Sequence, residues 1–360
     1  MDPHATPERD QRPPQAVPVA SLAAAEPPRR RSRPWVRLLC GLLVLGLFGS
    51  LMLNLLLLAA TGLTSLDADR KVQEKFFSHQ RGGADKVAII TLSGTILSGK
   101  GFIKDQIDQA AEDSSVKAVV LRVNSPGGTI TGSDYIHHHL SKLAGESKIP
   151  IVVSMGGVAA SGGYYVSMAC GKTGVIFAEP TTWTGSIGVI IPRYDLSELL
   201  QSWGVAEDSI ASHPLKKAGS FAKPMTEEER EIFRQLVNEG FTQFKDIIKR
   251  GRPAFQEDPE ALDKLATGQI YTAGQALNNG LIDQIGFLED AVDKAIELAK
   301  LDKNRVEVVE YQREPSLASV LLGGEVRQEQ TDLAAMLELT VPRAYYLCTW
   351  LPPLASSTEP

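Results

Sequence analysis

Residues 151–170 read IVVSMGGVAASGGYYVSMAC. The segment begins with an apolar, β-branched run at 151–155, which is typical of a buried strand. Small residues then predict a tight turn, and the apolar stretch after them predicts a helix. Parallel α/β sheets are built from such strand–turn–helix units. Ser161 stands at this corner between Ala160 and Gly162, so its hydroxyl would be presented at the first turn of the helix.

The chain around this corner repeats the same alternation. We predict further strands at residues 87–92, 118–123, 175–178 and 187–191. Segments with helical periodicity lie between and after these strands. The most regular one follows Thr226, which is placed to form a capping box with Glu229. No internal repeat is visible. The pattern therefore predicts a single α/β domain.

Composition excludes several classes of protein. The chain has 360 residues, of which 43% are hydrophobic, and this is enough for one sizeable core. A net charge of -6 argues against a nucleic-acid-binding surface, which needs clustered excess Lys and Arg. Cys40, Cys170 and Cys348 show neither paired nor metal-ligand spacing, so we read them as small apolar residues. No metal or organic cofactor is indicated.

Residues 38–66 carry no charged side chain. The stretch is longer than the roughly 20 apolar residues that a spanning helix needs, and we predict a transmembrane anchor at 35–64. The alternative is a cleaved signal peptide. Its apolar core is usually about 7–15 residues long, and this one is about twice that length.

Charges on the two sides of this stretch predict its orientation. Five arginines lie just before it, within residues 29–37, whereas mixed charges follow it at 67–71. The positive-inside rule places residues 1–34 in the cytoplasm as a disordered tail and exports the rest, as expected for a single-pass protein of the inner (cytoplasmic) membrane. We predict a linker at 65–85, a catalytic domain at 86–300 and a C-terminal extension at 301–360. The extension would pack on the body, line a subunit interface or lie on the membrane.

The corner at Ser161 suits acyl transfer, which needs a nucleophile, a base and donors for the developing oxyanion. Ser161 is the candidate nucleophile, and the backbone N–H of Gly162 would face the oxyanion. A second donor would come from the glycine-rich loop at 125–128, where φ > 0 is tolerated and a substrate backbone can approach closely.

The base is harder to assign. His4 lies in the tail, His79 in the linker, and three consecutive histidines at 137–139 would point to different faces of a helix. His213 remains a candidate. The neighbouring Lys216 and Lys217 are the alternative, provided that burial lowers the pKa of one amine far enough for it to be neutral.

Four motifs together resemble the signal peptide peptidase A family in its short form, over about residues 87–301. They are VNSPGGT at 123–129, SMGGVAASGGYY at 154–165, TGSIGV at 184–189, and LKKAGSF at 215–221 followed by KPMTEEE. The resemblance implies Ser161 as nucleophile, Gly128 and Gly162 as oxyanion donors, Ser186 as the residue that orients a lysine, and Lys216 rather than Lys217 as that lysine. The family usually has an acidic residue directly after the lysine, whereas Lys217 stands there in this chain.

The family has a crotonase/Clp-like (ββα-superhelix) peptidase domain. By resemblance, the protein is therefore expected to be a membrane-anchored serine endopeptidase with a Ser/Lys dyad, without cofactor, that hydrolyses hydrophobic peptides such as residual signal peptides. A ring-shaped homo-oligomer is also implied. Two rival interpretations are a crotonase-type acyl-CoA enzyme, which an exported location disfavours, and an inactive membrane scaffold of the same fold.

Overall fold

The computed structural model describes residues 34–66, 72–313 and 344–347, and the chain divides into two units, 1–62 and 63–360. In the first, all described residues belong to helix α1 (Pro34–Leu66), and its described side chains are exposed. Among the residues whose side chains are described, no helix has both the length and the apolar character needed to cross a bilayer. The predicted transmembrane helix is therefore not confirmed, and the predicted tail lies outside the described residues.

The larger unit is built on a mixed sheet. Its described strands are β1 (Val72–His79), β2 (Asp85–Ser93), β3 (Val116–Ser125), β4 (Gly127–Thr129), β5 (Ile151–Ala160), β6 (Ile176–Ala178), β7 (Trp183–Gly185), β8 (Ile270–Thr272), β9 (Gln284–Ile285), β10 (Val306–Arg313) and β11 (Tyr345–Leu347). The main order is β1-β10-β2-β3-β5-β6-β9, and all neighbours in it are parallel except β1 and β10. Strand β7 continues along β5 beyond β6 and pairs with β8, while β4 and β11 form a separate antiparallel pair. The predicted α/β class is confirmed.

Helices cover both faces of this sheet. The described helices of this unit are α2 (Phe102–Glu112), α3 (Ile130–Glu146), α4 (Gly162–Ser167), α5 (Ser197–Ser202), α6 (Glu227–Gly251), α7 (Pro253–Glu257), α8 (Pro259–Leu265), α9 (Ala273–Asn278) and α10 (Leu288–Leu298), of which α5 has no buried residue. Successive side chains of a strand point to opposite faces. Accordingly Val87 of β2 packs in the cluster that contains α10, whereas Ala88 packs in the cluster that contains α3 and α6. Coverage on both faces explains the nearly continuous apolar runs in the central strands.

Helix α6 begins where the sequence predicts. The hydroxyl of Thr226 accepts from Glu229 N, and the Glu229 carboxylate accepts from Thr226 N, which confirms the capping box. Only the C-terminal half of the apolar face is buried, as at Phe244, whereas Leu236 is 49% exposed. Part of the amphipathic face therefore lies on the surface of the chain.

The sheet extends beyond the predicted domain bounds on both sides. Residues 72–79, interpreted above as linker, form β1, and residues 306–313 of the predicted extension form β10 between β1 and β2. The sequence of β10, VEVVEYQR, contains β-branched residues suited to a half-buried strand. Because β10 pairs in parallel with β2, that side of β2 is not an open sheet edge.

The predicted strand at 187–191 is wrong, and the strand lies at 183–185 instead. Gly185 and Ser186 have φ values of 84° and 49°, which turn the chain out of the sheet. Within residues 187–191, Ile190 forms an isolated antiparallel β-bridge with Tyr345.

Candidate active site

Ser161 lies in a strained turn between β5 and α4. Its backbone has φ 54° and ψ −114°, a region that costs a non-glycine residue about 1–3 kcal/mol. Its N–H donates to Gly185 O at 2.8 Å, and its carbonyl accepts from Tyr165 N at 2.9 Å. These two bonds fix the residue at the strand–helix corner that the sequence predicts.

The hydroxyl of Ser161 is buried and unpaired. The residue is 1% exposed, and its Oγ has no hydrogen-bond partner among the described residues. Burying a hydroxyl without a partner costs about 1–3 kcal/mol. A strained backbone and an unsatisfied hydroxyl at one residue indicate a group that is kept for function rather than for stability.

Backbone N–H groups of two glycines meet beside Ser161. A Cβ atom on Gly127, where φ is 95°, would lie 2.6 Å from Gly162 N, and one on Gly162 would lie 3.1 Å from Gly128 N. Gly162 is the first residue of α4, so its N–H has no partner within the helix, and it makes no other hydrogen bond to the described residues. The backbone nitrogens of Gly128 and Gly162 therefore lie close together next to Ser161, and their assignment as oxyanion donors stays a prediction.

Buried hydroxyls hold these glycines in place. Ser125 Oγ donates to Gly94 O at 2.6 Å and accepts from Gly127 N at 3.1 Å. At the start of α3, Ser133 Oγ donates to Thr129 O at 3.0 Å. The loop after β3 is therefore fixed by side-chain hydrogen bonds on both sides of the paired glycines.

Ser186 lies beside the candidate nucleophile. In the register of β5 and β7, Ala160 pairs with Gly185, so the residues that follow, Ser161 and Ser186, leave the sheet at the same level. Ser186 is 5% exposed, has φ 49°, and its N–H donates to Gln269 O at 2.7 Å. The structure therefore places Ser186 near Ser161, while its role in orienting a lysine stays a prediction.

The two candidate lysines lie in a short 3₁₀ turn, Pro214–Lys217. Lys216 is exposed and Lys217 is half-buried. Neither donates a hydrogen bond to Ser161 within the described residues. The assignment of Lys216 as the base therefore stays a prediction.

His213 caps the same turn. Its Nδ1 accepts from Leu215 N at 3.2 Å, and its ring is exposed. It makes no hydrogen bond to Ser161 within the described part of the chain.

The three consecutive histidines point to different neighbours. His137 packs edge-on against Tyr165 with ring centroids 5.4 Å apart, His138 is exposed, and His139 lies 4.4 Å from the Tyr135 ring. Burial lowers the pKa of His137 to about 4. Across the described ranges, no cluster of His, Cys, Asp and Glu side chains is arranged to hold a metal ion.

Sequence reasoning missed one part of the site. Strand β11 of the C-terminal extension pairs with β4, which carries Gly127 and Gly128, and its Tyr346 is fully buried. The segment AYYL is apolar, but nothing in its local pattern indicates a partner more than 200 residues earlier in the chain. The placement of this segment is therefore a result of the tertiary structure.

The arrangement suits an enzyme that attacks carbonyl groups: a serine hydroxyl lies at the end of a parallel strand, and two N–H groups lie beside it. Residues 144–302 match the family model for peptidase family S49. The chain belongs to this family, that of signal peptide peptidase A. The matched range includes Ser161, Ser186 and Lys216 but not Gly128.

Curated relatives of the chain support the same family assignment. The chain is 36% identical to a protein of Synechocystis provisionally named as a protease, over 67% of this chain and 84% of the relative. It is 34% identical to Protease 4 of Salmonella typhi, over 71% of this chain and 41% of the relative. It is 33% identical to the chloroplastic serine protease SPPA of Arabidopsis thaliana, over 67% of this chain and 37% of the relative. The chain thus spans about two fifths of the length of the latter two relatives.

Proposed function

We propose that the protein is a serine endopeptidase with a Clp-like fold that hydrolyses hydrophobic peptides, such as signal peptides left in a membrane, and that Ser161 is its nucleophile. The observation that carries this proposal is the buried, unpaired Ser161 hydroxyl on a strained turn beside the Gly128 and Gly162 N–H groups. The match to peptidase family S49 supports it.

The proposed reaction proceeds in two steps. A neutral lysine amine takes the Ser161 proton while Oγ attacks the peptide carbonyl, and the oxyanion forms between the Gly128 and Gly162 N–H groups. The C–N bond then breaks, and the lysine passes its proton to the leaving amine. Water repeats the sequence on the acyl-enzyme and releases the acid product. Ser186 would orient the lysine by a hydrogen bond.

The catalytic role of Ser161 is tested with a fluorophosphonate probe and an apolar peptide. We expect the probe to label the wild-type chain at Ser161 and the Ser161→Ala variant not at all, and cleavage to disappear in the same variant. Ser167→Ala is a control, because Ser167 is a buried serine of α4 that bonds to Gly163 O. Labelling of another serine, or cleavage by Ser161→Ala, would refute the assignment.

We further propose that a neighbouring copy supplies the lysine. A base of this kind must lose water to become neutral, yet Lys216 is exposed in the single chain. The segment around it exposes apolar side chains that a second copy would cover: Ile190, Tyr194, Leu196, Leu199, Trp203, Val205, Ile210 and Phe221. Such contacts would generate the ring-shaped homo-oligomer that the family resemblance implies.

Coexpression of two inactive variants tests this sharing of the site. Ser161→Ala and Lys216→Ala chains should each be inactive, but equal mixing in a ring should restore about a quarter of the wild-type activity, because one site in four combines an intact serine with an intact lysine. If mixing restores no activity, Ser161 and Lys216 of each site belong to the same chain. If the Lys216→Ala chain cleaves peptides and the Lys217→Ala chain does not, Lys217 rather than Lys216 is the base.

A membrane anchor at 35–64 is the remaining part of the proposal. Its support is the uncharged sequence at 38–66 with five arginines just before it. The full chain should stay in the membrane pellet at alkaline pH, with its N-terminus cytoplasmic and residues after 66 accessible to protease from the other side. Release of the full chain into the supernatant would contradict the anchor.

A further inference from the structure

The segment that carries Lys216 is not fixed by apolar packing. No residue from 191 to 228, all of which the structure describes, is more than partly buried, whereas Ile187 before this segment and Glu229 after it are buried. A segment without buried side chains gains little from the hydrophobic effect, so hydrogen bonds decide its position. We call residues 213–223 of this segment, which include Lys216, the lysine loop.

The lysine loop is one hydrogen-bonded unit. Lys216 N donates to His213 O at 3.0 Å, and Ser220 N donates to Lys217 O at 3.1 Å. Ser220 Oγ in turn accepts from Ala222 N at 3.2 Å. Because these turns follow one another directly, the place of Ser220 sets the place of Lys216.

Arg193 holds this unit by its main-chain carbonyls. The Nη2 of Arg193 donates to Ser220 O at 2.9 Å and also to Lys223 O. One backbone bond, from Leu196 N to Phe221 O at 2.8 Å, joins the same two segments. The guanidinium is planar and presents its donors as a rigid fork, so its bonds set an orientation as well as a distance.

Arg193 itself follows a part of the chain that is bonded to the body of the domain. Ser186 N donates to Gln269 O at 2.7 Å, and Gly268 N donates to Ile187 O at 3.1 Å. The chain therefore leaves the site at Ser186 in a fixed direction. Arg193 connects this fixed part to the lysine loop.

Glu229 holds the lysine loop from the other side. Its carboxylate is buried at the start of α6, where it accepts from the Lys223 ammonium and from Thr226 N. Lys223 is thus bonded to Arg193 through its carbonyl and to Glu229 through its ammonium. The loop is clamped between the chain that follows Ser186 and the first turn of α6.

Arg193 is not placed for stability alone. Its Nη1 lies 3.5 Å from Asp195 Oδ2, which is a long ion pair, and its buried Nε has no hydrogen-bond partner among the described residues. A buried donor without a partner lowers the stability of a fold. The main contribution of this side chain is therefore the pair of bonds from Nη2 to the lysine loop.

We infer that Arg193 is a positioning residue of the proposed reaction: it clamps the lysine loop to the chain that follows Ser186 and so presents the Lys216 amine in one fixed place. The inference rests on the proposed function, because Lys216 is taken as the base. A base must lie within hydrogen-bond reach of the proton that it removes, and a displacement of about 1 Å can lower a rate about a hundredfold. Arg193 acts through the loop and not on the substrate.

Kinetics of the full chain with an apolar peptide test the inference. Arg193→Ala should lower kcat about a hundredfold and leave KM within about twofold, because substrate binding does not depend on the base. The acid limb of the profile of kcat against pH should move to higher pH, because a loosely held lysine is more hydrated and keeps its proton more firmly. Arg193→Lys keeps the charge but not the fork, and it should lower kcat about tenfold and move the acid limb in the same direction even if Arg193→Ala does not fold.

Arg252→Lys is the matched control. Arg252, at the opposite end of α6, also donates to a main-chain carbonyl, Gly280 O at 2.8 and 3.1 Å, and pairs with Asp283 Oδ2 at 2.7 Å. Its replacement should lower the midpoint of thermal unfolding at least as much as Arg193→Lys does, but leave kcat and its pH profile unchanged. If Arg252→Lys lowers kcat and moves the profile as much as Arg193→Lys, the kinetic effect is one of general destabilisation and the inference is wrong.

Hydrogen exchange measures the clamp independently of catalysis. In Arg193→Lys the amides of Lys216, Ser220 and Ala222 should exchange faster than in the unaltered chain, whereas the Val153 amide, which donates to Val175 O inside the sheet, should not change. Unchanged exchange in the loop, or faster exchange together with normal kcat and a normal pH profile, would overturn the inference.

The same measurement separates the clamp from the base. If the Lys216→Ala and Lys217→Ala chains both cleave peptides while the loop still exchanges faster in Arg193→Lys, the proposed lysine base is wrong, whereas the attachment of the loop by Arg193 is confirmed.

Discussion

At the scale of single residues, Ser161 combines two features that destabilise the fold: a positive φ and a buried hydroxyl without a partner. Ser161→Gly removes both, because glycine accepts positive φ readily. We expect this variant to be inactive yet more stable by about 1–2 kcal/mol. Urea unfolding of the two full chains measures the difference. Equal or lower stability would show that the turn is not strained.

His137 gives a second prediction at this scale. Burial lowers its pKa to about 4, the Asp134 charge opposes this shift, and the Arg250 charge adds to it. Between pH 6.5 and 4 the unfolded chain therefore binds more protons, so the free energy of unfolding should fall as pH falls, by up to about 3 kcal/mol. His137→Gln should flatten this part of the profile, and urea titrations at several pH values measure it. An unchanged slope in the variant would assign the acid sensitivity to other groups.

At the scale of elements, α6 depends on its capping box. Thr226→Ala removes the hydroxyl that accepts from Glu229 N, and we expect a loss of about 1 kcal/mol in the free energy of unfolding. Thr242→Ala on the same helix is the control, because its hydroxyl only donates to Asn238 O on the exposed surface. If the two variants lose equal free energy of unfolding, the capping hydrogen bond stabilises the protein no more than a hydroxyl on the helix surface does.

At the scale of the whole molecule, β10 decides where the catalytic unit ends. It separates β1 from β2, so a chain shortened to residue 301 leaves the β2 edge open and β1 without its partner. We expect that chain to aggregate or to lose cooperative unfolding, whereas a chain ending at residue 313 should unfold in one transition. Circular dichroism during heating distinguishes the two. If the shorter chain unfolds cooperatively, the catalytic domain ends near residue 300, as the sequence predicts.

The sequence alone determined the strand–turn–helix corner, the capping box of α6 and the α/β class, because each depends on residues close together in the chain, whose periodicity and turn chemistry are local. It also located Ser161 and the glycines on either side of the site. The tertiary structure decided what depends on distant pairing: the insertion of β10, the exit of the chain at Ser186, and the position of Tyr346 between Tyr165 and Phe244. Strand partners and pockets are set by which surfaces remain unpaired after the core has formed, and no local pattern contains that information.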